Sequence, residues 1–168
     1  MTAQQHNNIL TVDDLPVDTL KNVLQRYGLK LVIVTDGAAV RASYWGAPEA
    51  GISGDTIYAR GDTPIHSILH ESSHVVCMTG QRRSILHRDA GGDDLEESAV
   101  CYLQLLLADH IDGVGRQRLM QDMDDWGYSF RLGSTSAWFE NDAEDARQFL
   151  INHGLISEIG DVNFAMRA

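Results

Sequence analysis

The sequence predicts an α+β fold in which a small, mostly N-terminal sheet of about three strands packs on a helical bundle. Three observations predict it. Segments rich in β-branched and aliphatic residues lie before residue 61, and helical periodicity prevails from residue 65 onward. The 168-residue chain is 43% hydrophobic and 22% charged, an ordinary globular balance, and is long enough to bury a core as a single domain spanning residues 1–168.

Residues 1–12 are polar and unpatterned and are expected to form a loose arm, with His6 disordered within it. Between residues 16 and 27, apolar side chains recur at Leu20, Val23, Leu24 and Tyr27, with Pro16 at the start and Gly28 past the end, which predicts a helix with a core face. Residues 29–35 then read as a buried strand stopped by Asp36-Gly37. Residues 40–45 and 56–60 read as two further strands, separated by a stretch holding Gly46, Pro48, Gly51 and Gly54. Thr63-Pro64 supplies an N-cap and a first-turn proline for a helix over 65–79, ending at Gly80. After the loop at Ala90-Gly91-Gly92, residues 94–109 form a helix whose acidic first turn suits the helix dipole and whose apolar content makes it central. Two more helices are expected over 115–125 and 142–153.

The formal net charge is -11 and no Lys/Arg run is long enough to track phosphates, which excludes nucleic acid as the expected partner. A cationic peptide segment fits the acidic clusters better. No signal-type segment and no bilayer-length apolar run occur, so no membrane partner and a cytoplasmic location are expected. Cys77 and Cys101 both fall in helical patterns and read as buried, inert thiols in a reducing compartment.

The chemistry is carried by His70-Glu71-Ser72-Ser73-His74. Residues four apart on a helix share a face, so two imidazoles can grip one ion, while the Glu71 carboxylate beside them can reach a water on that ion as general base. Chance occurrence of this pattern in a chain of this composition is about one percent, before helical context is required. The expected cofactor is one Zn2+ ion, though another divalent metal would use the same donors. A catalytic zinc takes three protein ligands. A metzincin extension is excluded because Cys77 and Gly80 stand where Gly and His are needed, and a deformylase-type upstream cysteine is absent. A glutamate from the next helix, as in gluzincins, remains. Glu96 shares a face with Ala99, Val100, Leu103 and Leu107 and is the expected third ligand; Glu97, leaning toward Cys101 and Gln104, is the alternative.

Residues 68–74, then Glu96-Glu97-Ser98-Ala99 and the run 102–107, resemble the ImmA/IrrE type of metallopeptidase, a gluzincin group. The resemblance covers about one third of the chain, from residue 56 to 107, and only the zinc motif is highly specific. It implies a zincin-like domain and an intracellular protease acting on regulatory proteins, often transcriptional repressors. In that family the ligand glutamate stands three residues before a small residue, which favours Glu96 with Ala99. Val100 departs from the family, which commonly has a polar residue four after the glutamate, so Asp93, Asp94 or Glu97 would have to support the ligands instead. No helix-turn-helix module is evident. The strand over 56–60 would be the edge that pairs with an extended substrate.

The expected reaction is peptide hydrolysis by metal-activated water, with Glu71 taking the proton and passing it to the leaving amine. Charge on the tetrahedral oxygen needs a second donor, and Tyr102, Tyr128, His110, Arg131 and His153 are the candidates. His66 is expected at the cleft rim; His87, Asp89, Asp93 and Asp94 are weaker candidate ligands. Two other readings keep the same residues: a non-catalytic metal-binding regulatory or interaction domain, and a zinc amidase on small molecules.

Overall fold

The computed structural model describes residues 8–168. His6 and the start of the expected arm lie outside them. The fold is α+β, with seven α-helices and three β-strands among the described residues. Strands β1 (Lys30–Val34), β2 (Gly51–Ser53) and β3 (Thr56–Arg60) form a mixed sheet in the order β1-β3-β2, β1 parallel and β2 antiparallel to β3.

Residues 8–12 are not a loose arm. The Leu10 N–H donates to Asp122 Oδ2 at 3.0 Å, the Leu10 carbonyl caps the Ile65 N–H at 2.9 Å, and Ile9 and Val12 are buried. Apolar residues sparse in sequence suffice here because backbone groups do most of the tethering. Helix α1 (Val17–Gln25) buries Leu20, Val23 and Leu24, and the chain reverses into β1 through Gly28 at φ +76°. β1 is an edge strand rather than a buried one: Leu31 faces the core, but Val32 and Ile33 are 43% and 37% exposed.

Residues 40–45 do not form a strand. Ala42 sits at φ +59°, which breaks the extended run, and only Ser43 makes an isolated bridge, to Gly51. The second strand is instead β2, and glycine is required at its start: a Cβ on Gly51 would lie 1.9 Å from the Arg41 carbonyl oxygen. β3 is the central strand, not an edge. The outer side of β2 is closed as well, since the Ile52 N–H donates to the Ala42 carbonyl and the Arg88 N–H to the Ile52 carbonyl. The expected substrate-pairing edge is therefore occupied by this chain's own backbone.

Helix α2 (Ile65–Cys77) starts after Pro64, which is itself the N-cap; Thr63 spends its hydroxyl on the Arg60 N–H. α2 is buried nearly all round, with only His70 and Glu71 partly exposed. It ends earlier than expected, and Gly80 opens the short α3 (Gly80–Arg83) instead of closing α2. Helix α4 (Asp94–Ala108) is capped by Asp93 and packs against α2, α5 (Arg116–Trp126) and α7 (Glu144–Asn152). The sequence reading missed α6 (Thr135–Asn141), a separate short helix capped by Ser134. Cys77 and Cys101 are free and buried, and burial pushes the Cys77 thiol well above the usual range. No helix among the described residues is long and apolar enough to cross a membrane.

Candidate metal centre

The site forms where the middle of α2 faces the first turns of α4. The one-turn spacing of His70 and His74 brings their Nε2 atoms to 3.2 Å, with the rings nearly perpendicular. Glu97 closes the group from α4: Oε1 lies 3.1 Å from His70 Nε2 and Oε2 lies 3.1 Å from His74 Nε2. These three side chains could hold a metal ion.

Their spacing fits one. Bonds of about 2.0–2.1 Å at a tetrahedral angle put neighbouring donors about 3.3–3.4 Å apart, within about 0.3 Å of the three contacts seen, the two to Glu97 being made by its two different oxygens. In the metal-free protein the same closeness is electrostatic: burial works to raise the Glu97 pKa, but hydrogen bonds from His70 and His74 and their charge outweigh it and hold the carboxyl well below the usual range. Burial likewise works against a charged His70, yet Tyr128, Cys101 and Glu97 around it hold its pKa well above the usual imidazole value.

Glu96, the expected third ligand, is not part of the group. Its carboxylate forms a two-pronged ion pair with Arg82 at 2.7 and 2.9 Å and meets Arg167 Nη1 at 3.4 Å. The expectation that Glu96 faces inward is met, for it is 4% exposed, but what waits there is a pair of guanidiniums from α3 and the C-terminal segment. One residue is a rotation of about 100° around a helix, so the neighbouring carboxylate points at a different partner. Gly92 makes room for this pair: a Cβ there would lie 2.9 Å from Glu96 Oε1.

Glu71 shares a cavity of about 380 Å³ with Glu49, His66, His70, Trp126 and Tyr128. Burial raises its pKa, while the charges of His70 and His74 oppose the rise. A second cavity of about 830 Å³ is lined by Leu95, Phe130, Trp138 and the carboxylates of Asp94, Asp142 and Asp145. Glu97 and Tyr128 border both cavities.

Of the five candidate oxyanion donors, Tyr128 is at the site. Its hydroxyl lies 3.2 Å from His66 Nδ1, its ring packs edge-on to His70, and burial pushes its pKa up to about 12. Arg131 lines the larger cavity but is engaged by both oxygens of Asp142. Tyr102 stacks on Phe139, His110 packs on Phe164 and His153 on Phe149, none of them at the metal group. His66 lines the smaller cavity but is 1% exposed, so it lies in the wall rather than at the rim. Among the weaker candidates, His87 pairs with Ser53, Asp89 accepts from the Gly91 N–H, Asp93 caps α4, and Asp94 lines the larger cavity.

Sequence reasoning missed Gln104, whose Oε1 lies 3.0 Å from His70 Nδ1. The signal was present: a lone amide in the apolar run Leu103 to Leu107, seven residues after Glu97 and so on the same helical stripe. No family model, curated protein or solved structure matches the chain.

Proposed function

We propose that this protein is a zinc-dependent metallopeptidase of the ImmA/IrrE type with a zincin-like fold. His70, His74 and Glu97 are its ligands and Glu71 its general base. The observation that carries the reading is the meeting of three side chains, with His70 Nε2, His74 Nε2 and the two Glu97 oxygens in contacts of 3.1–3.2 Å, and a half-buried glutamate directly after the first ligand. A purely structural site gains nothing from such a base.

A bound zinc ion supplies Lewis acidity, acidifying water and polarising the scissile carbonyl. Glu71 takes the proton from the attacking water and hands it to the leaving amine; its raised pKa brings it nearer to neutral pH, where proton transfer in both directions is efficient. Tyr128 keeps its proton at working pH and offers a donor beside the reacting carbonyl. The two cavities bordering Glu97 and Tyr128 suit a chain running past the site more than a small closed amide. Carboxylates along the larger one favour a cationic peptide segment, in keeping with the net charge of -11. A regulatory protein is the substrate class that the resemblance implies.

The test combines metal analysis with cleavage of fluorogenic peptides, basic sequences included. One zinc per chain, hydrolysis stopped by a chelator, and a Glu71→Gln variant that keeps zinc but loses cleavage are expected. Stoichiometric zinc with no cleavage of any peptide or of unfolded protein would favour the non-catalytic domain, and cleavage of small amides alone the amidase.

A further inference from the structure

We infer that Gln104 is a positioning residue of the metal centre: it fixes the His70 tautomer so that the bare ring nitrogen is the one facing Glu97 and His74. The inference rests on the metal reading above. Gln104 is 0% exposed, and its amide cannot turn over freely. Nε2 donates to the His66 carbonyl at 2.7 Å, with a longer contact of 3.4 Å to the Tyr128 hydroxyl. Reversing the amide would press two carbonyl oxygens together at that short distance, so the end facing His70 is the acceptor Oε1.

An acceptor 3.0 Å from His70 Nδ1 requires that nitrogen to carry a proton. A neutral imidazole has only one N–H, which leaves the lone pair on Nε2, the atom that meets Glu97 and His74. A lone pair 3.1 Å from a carboxylate oxygen is repulsive unless a proton or a metal ion lies between them, and with Nδ1 committed to Gln104 it is Nε2 that is left for an ion. His74 has no such support: its Nδ1 is buried without a hydrogen-bond partner among the described residues. Gln104 therefore orients one ring for the pair, and its hold on the His66 backbone one turn earlier on α2 ties that orientation to the helix itself.

The test uses the full chain with ¹⁵N-labelled histidine, comparing wild type, Gln104→Leu and Gln104→Glu by two-bond ¹H–¹⁵N correlation spectra and by competition for zinc with a chromophoric chelator. In wild type, His70 is expected to be protonated at Nδ1 and metallated at Nε2. Gln104→Leu should lose the protected Nδ1 proton and bind zinc about 10- to 100-fold more weakly. Gln104→Glu, with one carboxyl oxygen protonated toward the His66 carbonyl, keeps an acceptor for His70 and should retain the Nδ1 proton, a rescue that a merely space-filling role would not give. Metallation through Nδ1, a folded leucine variant with wild-type affinity and spectrum, or loss of the Nδ1 proton in the glutamate variant would each overturn the inference. If the leucine variant does not fold, the wild-type spectrum and the glutamate variant decide. A wild-type chain that binds no zinc refutes the metal reading separately, and Nε2 protonation of neutral His70 in that chain would then refute the role of Gln104 too.

Discussion

Glu96 and Glu97 are adjacent, carry the same charge, and should fail in opposite ways when neutralised. Glu96→Gln removes the anion between Arg82 and Arg167 and leaves two guanidiniums facing each other beside a buried amide. Breaking a buried pair costs about 3–5 kcal/mol. The Arg82 side chain is 36% exposed and Arg167 20%, so both can partly rehydrate, which lowers the expected cost to about 2–3 kcal/mol. At about 2–4 °C per kcal/mol for a chain of this size, the melting temperature should fall by about 4–12 °C. On the proposed reading, Glu97→Gln removes a ligand instead. Structural zinc sites release about 10–16 kcal/mol through four ligands, or about 2.5–4 kcal/mol each, so zinc affinity should fall roughly 60- to 700-fold. The assay pairs chelator competition with thermal unfolding of both variants, each with and without zinc. Glu96→Gln should keep zinc and lose stability in both states; Glu97→Gln should lose zinc, and with it the stabilisation that added zinc confers. A Glu96→Gln protein that melts like wild type but no longer binds zinc would refute this division of labour.

Because burial raises the Glu71 pKa, and the base must be ionised to act, cleavage should rise with pH through a limb above the ordinary glutamate value of 4.5; a pH–rate profile with that limb at or below 4.5 sinks the assignment. In chelator-treated protein, the lowered Glu97 pKa contributes stability that is present above its unfolded value of 4.5 and lost as pH falls through the folded value. The raised His70 pKa contributes stability that is present below 6.5 and lost as pH rises through its folded value. Melting temperatures of metal-free protein should therefore decline on the alkaline side and be restored there by zinc; a flat alkaline limb would contradict the coupling. Gly51→Ala should destabilise the fold by at least about 1–3 kcal/mol, since the added methyl meets the Arg41 carbonyl oxygen, and denaturant unfolding with an unchanged midpoint would show that this loop yields freely.

The helices that build the site were readable from periodicity. Helix α2 (apart from its earlier end), α4 and the strand at residues 56–60 all appear where the pattern of apolar residues puts them, because each must bury a face of fixed period. Residues 40–45 misled for a local reason: Val40 and Ala42 are buried, as in a strand, yet the positive φ at Ala42 turns the chain. The covering of β2 by residues 42–43 and 86–88 joins segments far apart in the chain and has no one-dimensional signature.

The spacing of His70, Glu71 and His74 was decided by the sequence itself, since helix geometry converts a separation of four into a shared face with no help from the rest of the molecule. The third member of the group was not. Burial and apolar neighbours pointed to Glu96, correctly as to burial, but a carboxylate can be buried by a metal or by arginines. That choice was made by Arg82 and Arg167, 14 residues before and 71 residues after it in the chain. Charge partners brought together by folding carry no local pattern, so only the tertiary arrangement could separate the glutamate that holds the fold from the one that faces the imidazoles.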